Sequence, residues 1–523
     1  MKAFWLATTL VLAAQQPGAA AEAALNPYES AVAPAPKSPL DKLVLGRLHA
    51  LGLPPARVCS DAVFVRRVYL DVLGTLPTAR EAAAFLRDPD PRKRARLIDR
   101  VLERPEFADY WALKWSDLLR VKAEFPINLW PEAAAAYHHW IRTQIEHNVP
   151  YDRFVRTLLT AHGSNFQVGP VNFYRAAQSR EPQALAQVVA LIFMGTRPSS
   201  WSADTWAGMA GFFSQVGYKP TLEWKEEIVY WDPGKATNGL AAGARFPDGT
   251  AARVSGERDP REVFADWLID PRNPWFTQNI ANRVWAWLLG RGVVQEPDDL
   301  RPDNPPSNPG LLACLERELI GAHYDLKHLY RLILNSQTYQ LSPIPQTFKA
   351  EGPAQFAFYP LRRLEAEVLI DALDQITGTT ENYSSAIPEP FTVVPASVRS
   401  IALPDGSITS SFLELFGRPP RDTGLESERN NRPSPDQRLH LLNSSHIQRK
   451  LDQSPKLRYL ERTSPSFRQV ATGLYLMILS RFPTAEELRV AQAYADAPEA
   501  TRRAATVDLA WTLINSAEFL YRH

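Results

Sequence analysis

The residues best suited to chemistry are the carboxylates and arginine of one polar run, Glu426, Glu428 and Arg429. Read as an extended segment, the run would turn both glutamates to one side, where two carboxylates could act as acid and base on a glycosidic bond or hold a divalent cation. The competing reading pairs them with Arg418, Arg421 and Arg429 to order a long loop, since buried charges need partners. A second acidic group, Asp298, Asp299 and Asp303, offers oxygen ligands but lacks the alternating spacing and glycine of a calcium loop, so ion pairing with Arg301 is the expected role. Arg66, Arg67 and Asp71 fall on one helix, and Asn282, Arg283 and Trp285 on another; these are the candidate binding residues. Arg67 and Asp71, four apart, are spaced to pair along their helix. There is no Gly-rich phosphate loop, no Gly-x-Ser-x-Gly elbow and no His-Glu-x-x-His.

The elements that must carry these residues read as helices. In residues 273–334, Ile280, Val284, Trp287 and Leu288 recur at helical spacing and define a broad apolar stripe. Gly290 and Gly292 end that helix, a proline-rich polar elbow follows over 296–308, and Pro309 opens the next helix with Asn308 or Ser307 as cap. Ser60 or Asp61 caps a helix that places Phe64, Val68 and Val72 on one face and closes at Gly74. Thr78 with Glu81, and again Thr484 with Glu487, match a capping box. Residues 110–120, 133–148 and 148–159 continue the helical pattern. The texture changes after Gly217, where alternation over 222–231 and the turn signals that follow predict a small β excursion near 221–250.

The first residues read as an export signal: Lys2, an apolar run over 3–14, and small residues suited to cleavage after Ala21. The expected organisation is a signal peptide over 1–21, a linker over 22–40, a helical domain over 41–220, the β excursion over 221–255 and a second helical domain over 256–523. The expected fold class is therefore mainly α, with proline-rich elbows joining two helical domains, in a secreted or periplasmic protein. Lys and Arg number 58 against 57 Asp and Glu, a balance that argues against a nucleic-acid partner. No segment beyond the signal is long and apolar enough to span a bilayer. Cys59 and Cys314 are expected as separate buried thiols, and the His138-His139 pair as packing or surface. Fourteen tryptophans and seventeen tyrosines suit a protein or glycan partner.

Several segments together resemble a family of large secreted bacterial proteins abundant in planctomycetes. They include Asp61-Ala-Val-Phe-Val-Arg-Arg-Val-Tyr-Leu-Asp71, Asn282-Arg-Val-Trp285, Asn304-Pro-Pro-Ser-Asn-Pro309, Arg362-Arg-Leu-Glu-Ala-Glu367, Phe416-Gly-Arg-Pro419 and His440-Leu-Leu-Asn443. That family joins two domains of unknown function, fifteen-forty-nine and fifteen-fifty-three, the first also called cytochrome-like. The resemblance implies a haem attachment motif, Cys-x-x-Cys-His, in the stretch that here begins Phe193-Met-Gly-Thr-Arg-Pro-Ser-Ser-Trp201. No cysteine stands there, and no histidine lies between His162 and His323, so this stretch cannot hold a c-type haem. Relatives also carry cysteines where Leu425 and Ser427 flank Glu426. Loss at both places suggests one redox or metal purpose that this chain has dropped. No cofactor is expected. The expected function is binding or scaffolding with another secreted protein or a glycan; hydrolysis of an extracellular polymer through Glu426 and Glu428 is the alternative.

Overall fold

A computed structural model of the chain describes residues 27–238, 243–394 and 397–523; the expected signal peptide lies outside the described residues. The architecture is mainly α, with small sheets of two and three strands. Among the described residues no helix is long and apolar enough to cross a membrane.

Two helices are buried over nearly their whole length and anchor the rest. The Asp61–Leu73 helix is capped by Ser60, whose side chain accepts from the Val63 N–H, and ends at Gly74 with φ 60°. A side chain at position 74 would run into the Tyr110 ring, so glycine serves both the left-handed turn and the close approach. From Val63 to Leu73 every residue is buried, Arg66, Arg67 and Asp71 included. The Phe276–Leu289 helix is buried at every position but Gln278 and stops at Gly290, φ 73°. Its Trp287 lies 5.2 Å from the Trp111 ring and 5.9 Å from Trp115, and Trp111 meets Tyr330 at 4.5 Å. Such interlocked rings bury large area and fix helix spacing. The apolar core runs without a break from Leu40 to Phe519.

The elbow after Gly290 is tied by side chains. Asn282 donates to the Val294 carbonyl and accepts from its N–H, both at 2.9 Å. Asn308 caps the Pro309–Gly321 helix, and both capping boxes form. Cys59 and Cys314 are buried and unpaired.

The larger sheet is antiparallel, with Glu227–Trp231 between Val216–Pro220 and Gly163–Ser164. Its hairpin starts earlier than the alternation predicted, because Leu222 to Lys225 form the turn and expose Leu222 and Trp224. The smaller sheet pairs Arg362 with Arg522 and Arg363 with Tyr521, and this ladder builds the floor of the site.

Candidate functional site

Asp71 is the hub. Its Oδ2 accepts from the hydroxyls of Tyr339 at 2.9 Å and Tyr359 at 2.7 Å, and its Oδ1 takes Arg362 at 3.1 Å and Arg522 at 3.0 Å. The expected pairing with Arg67 does not form. An i,i+4 ion pair suits a solvated helix face, whereas here the helix is enclosed and each polar side chain finds its own neighbour. Arg67 donates to the carbonyls of His523, Tyr339 and Leu341 and stacks 3.7 Å over the Tyr359 ring. Arg66 donates to the carbonyls of Ile478 and Phe519. Both arginines thus bind backbone from the far end of the chain.

Two charge clusters grow from this region. In the first, Lys114, Arg362 and Arg522 share Asp71 and Glu365. In the second, Arg418, Arg421 and Arg429 share Asp117 and Glu367. Each cluster sets three cations against two carboxylates. Burial alone would raise Glu365, but Lys114, Arg522 and Arg429 outweigh it and hold its carboxyl well below the ordinary range. Asp117 is lowered too, because Arg429 and Arg421 overcome its burial. Arg362 and Arg429 bring one edge of each cluster to an open pocket of about 780 Å3, whose polar lining also includes Arg363, Arg432, Asn430 and Glu296. Arg363 donates to Gln437 and lies over the Phe416 ring. Arg432 is exposed and, among the described residues, has no carboxylate partner. Glu296 is held by Arg197 at 2.7 Å.

The loop that supplies Arg429 is closed at its base. Gly417, φ 87°, sits so tightly against Asn430 that no side chain fits, and the Asn430 N–H donates to the Gly417 carbonyl. Inside the loop, Glu426–Glu428 forms a 3-10 turn, so the two glutamates do not share one side as an extended reading requires. Glu426 accepts from Arg283 at 3.2 Å and from the Trp287 indole at 3.1 Å. Glu428 accepts from the backbone N–H groups of Asp422 and Thr423. Nor do Arg418, Arg421 and Arg429 pair with these glutamates; they turn inward to Asp117 and Glu367, which are the more buried carboxylates.

The three elbow aspartates do not converge. Asp298, fully buried, binds Arg197 at 2.8 Å and accepts the Glu426 N–H at 3.2 Å. Asp299 and Asp303 flank Arg301 at 3.3 and 3.5 Å. Asn282 ties the elbow, and Trp285 is wholly buried, with its ring edge-on to Phe356. Of the sequence-predicted residues, the structure therefore brings Asp71 and Arg429 to the pocket and its floor, and Arg283 and Glu426 beside it. It adds Arg362, Arg363, Arg432, Arg522, Glu365, Glu367, Lys114, Asp117 and Arg197. The Arg-Arg-x-Glu-x-Glu spacing over 362–367 was the available signal, since it carries four of these nine.

Residues 39–198 match the family model described as PSCyt2, protein of unknown function (DUF1549). Residues 260–495 match that of PSD1, protein of unknown function (DUF1553). The chain belongs to the family that joins these two domains. No curated protein and no solved structure matches it.

Within this DUF1549–DUF1553 chain, the two stretches singled out in the sequence, residues 193–201 and 425–427, meet in space. Arg197, in the stretch that lacks the haem motif, and Glu426, between Leu425 and Ser427, touch the same buried carboxylate of Asp298. The residues present here are a guanidinium, a carboxylate and a backbone N–H. They offer neither thiol nor imidazole and do not fit a covalently attached haem.

Proposed function

We propose that this protein is an exported binding or scaffold protein whose ligand seats an anionic group, a carboxylate, sulfate or phosphate, between Arg362 and Arg429. The observation that carries this reading is charge balance. Six buried or half-buried cations share four carboxylates in two adjoining clusters, and both clusters reach the same open pocket. Uncompensated buried charge is costly, so an anion entering there relieves a cost that the fold already bears. Arginine suits the task because its planar donors match the oxygens of such groups. Arg363 and Arg432 at the mouth add attraction from solvent.

The ligand belongs to an extracellular glycan or to another secreted protein, and the exported location rests on residues 1–21 of the sequence. Hydrolysis through Glu426 and Glu428 has less support, since each carboxylate is already engaged and the two face different partners. The pairing of Arg197 with Asp298 also supports the view that the two lost cysteine sets once served one purpose. The test is calorimetric titration with inorganic sulfate, inorganic phosphate and glucuronate, against neutral glucose. Saturable binding of at least one anion, raised thermal stability with it, and loss of both in Arg363→Ala/Arg432→Ala support the reading. Absence of any saturable anion binding at millimolar concentration rejects it.

A further inference from the structure

A second open pocket, of about 710 Å3, shares no lining residue with the arginine site and contains His440, His446, Glu381 and Lys450. The two imidazoles are linked to the carboxylate in series. His446 Nε2 is 2.9 Å from Glu381 Oε2, and His446 Nδ1 is 3.2 Å from His440 Nε2. The ring centres of the two histidines are 5.5 Å apart, more than the nitrogen separation by about one ring width, so the nitrogens meet head-on. That geometry suits one shared proton. It does not suit a metal ion, toward which two lone pairs would have to converge.

The tautomers follow from the chain of contacts. Glu381 is an acceptor while ionised, so His446 carries its proton on Nε2 and presents a lone pair at Nδ1. His440 must then donate from Nε2. Its Nδ1 is left unprotonated and, among the described residues, makes no hydrogen bond; Ser410 and Ser411 line the same pocket. Phe412 and Phe416 brace the His440 ring edge-on at 5.7 and 6.0 Å. Glu381 is nearly buried and is also met by Lys450 at 3.2 Å, which in turn binds Asp374.

We propose that Glu381, His446 and His440 form a proton relay that makes this pocket a general-base site for a hydroxyl-bearing ligand or a bound water. The O–H proton passes to His440 Nδ1 and the Nε2 proton of His440 passes to His446 Nδ1, which leaves His446 an imidazolium that keeps its Nε2 proton and is stabilised by the ionised Glu381. The hydroxyl oxygen keeps the electron pair and becomes the nucleophile. His440 is the group that touches the ligand; His446 and Glu381 are positioning residues, in the way a carboxylate fixes and charges an imidazole in hydrolytic triads. The surroundings agree with these protonation states. Burial works against charge on Glu381, but the hydrogen bond and charge of His446 with Lys450 outweigh it and keep the carboxyl below its ordinary range. Burial and the neighbouring His446 lower His440, with Glu381 opposing, and keep it neutral near pH 7. The remaining charged groups of the pocket are Arg449 and Lys450 on the helix of His446, and Lys450 is paired with Asp374 on the Ala366–Thr377 helix.

The first test is long-range proton–nitrogen NMR on the full chain labelled at histidine. Both His440 and His446 are expected as Nε2–H tautomers, and Glu381→Gln is expected to shift the His440 signal although residue 381 does not touch that ring. A His440 found as the Nδ1–H tautomer overturns the relay. The second test uses 4-nitrophenyl acetate as probe: water loses its proton to His440, its oxygen bonds the carbonyl carbon, and nitrophenolate leaves. His440→Ala is expected to cut this hydrolysis roughly a hundredfold, and Glu381→Gln to lower it and move the pH profile. A rate within twofold of the parent in folded His440→Ala, judged by unchanged near-UV dichroism, overturns the proposal.

Discussion

The two pockets prepare opposite kinds of polar atom. Around Arg362 and Arg429, four carboxylates face six cations and positive charge remains in excess. Around His440, a single carboxylate orders two rings in series, and the proposed relay makes His440 Nδ1 the acceptor. One surface offers donors fixed from beneath by deep burial; the other offers an acceptor fixed in series from one side. Stability and ligand chemistry should therefore separate between them: the first is part of what holds the molecule together, the second is an attachment to it.

The strongest way to break that contrast is to remove each hub. Asp71→Ala strands Arg362, Arg522 and two tyrosine hydroxyls in the interior and is expected to cost about 3–5 kcal/mol in urea unfolding. Glu381→Ala, beside a histidine still partly open to water, is expected to cost about 1–3 kcal/mol. Equal losses would dissolve the distinction. Acid should next expose two pH windows. Glu365 and Asp117 have depressed folded values, so their contribution is complete above the ordinary carboxylate value near ~4 and is lost as pH falls below it. His440 is lowered, as are His138 to about 3 and His523 to about 4, in each case first by burial. Their contribution is complete above the ordinary histidine value of about 6.5 and is lost as pH falls below that, each with a slope of up to about 1.4 kcal/mol per pH unit. Unfolding free energy measured from pH 7 downward should thus decline first through the histidines and then, below about 4, through the carboxylates.

Smaller effects sharpen the picture. Glu426→Ala leaves the buried Arg283 guanidinium without its carboxylate and is expected to cost about 1–2 kcal/mol; a larger loss would mean that the rim carries as much as the floor. Arg432→Ala, at an exposed position, should change unfolding by no more than about 0.5 kcal/mol while weakening anion binding in the titration. A variant that leaves binding untouched would move the ligand away from the pocket mouth.

Much of the helical framework is legible because its signals are local. Ser60, Thr78 and Thr484 cap, Gly74 and Gly290 terminate, and the stripe through Ile280, Val284 and Leu288 is buried as its spacing requires. The site is less legible because its partners are distant in sequence. Nothing near Arg362 announces a ladder with Arg522, and nothing near Asp117 announces Arg421 and Arg429. Spacing along a helix even misleads at Arg67 and Asp71, where enclosure offers carbonyls and tyrosines that a solvated helix lacks. The Glu426 to Arg429 run draws attention for the right reason, its charge, but the 3-10 turn parts the carboxylates and sends the arginine inward.

The neck formed by Gly417 and Asn430 gives the segment between them the mechanics of a drawn purse. Its two ends are knotted together, so lengthening the bag at Asp422 to Gly424 would change its bulge while leaving the knot and the neighbouring helices where they are. A bulkier residue at 417 would untie the whole pouch at once and carry Arg429 away from the pocket with it.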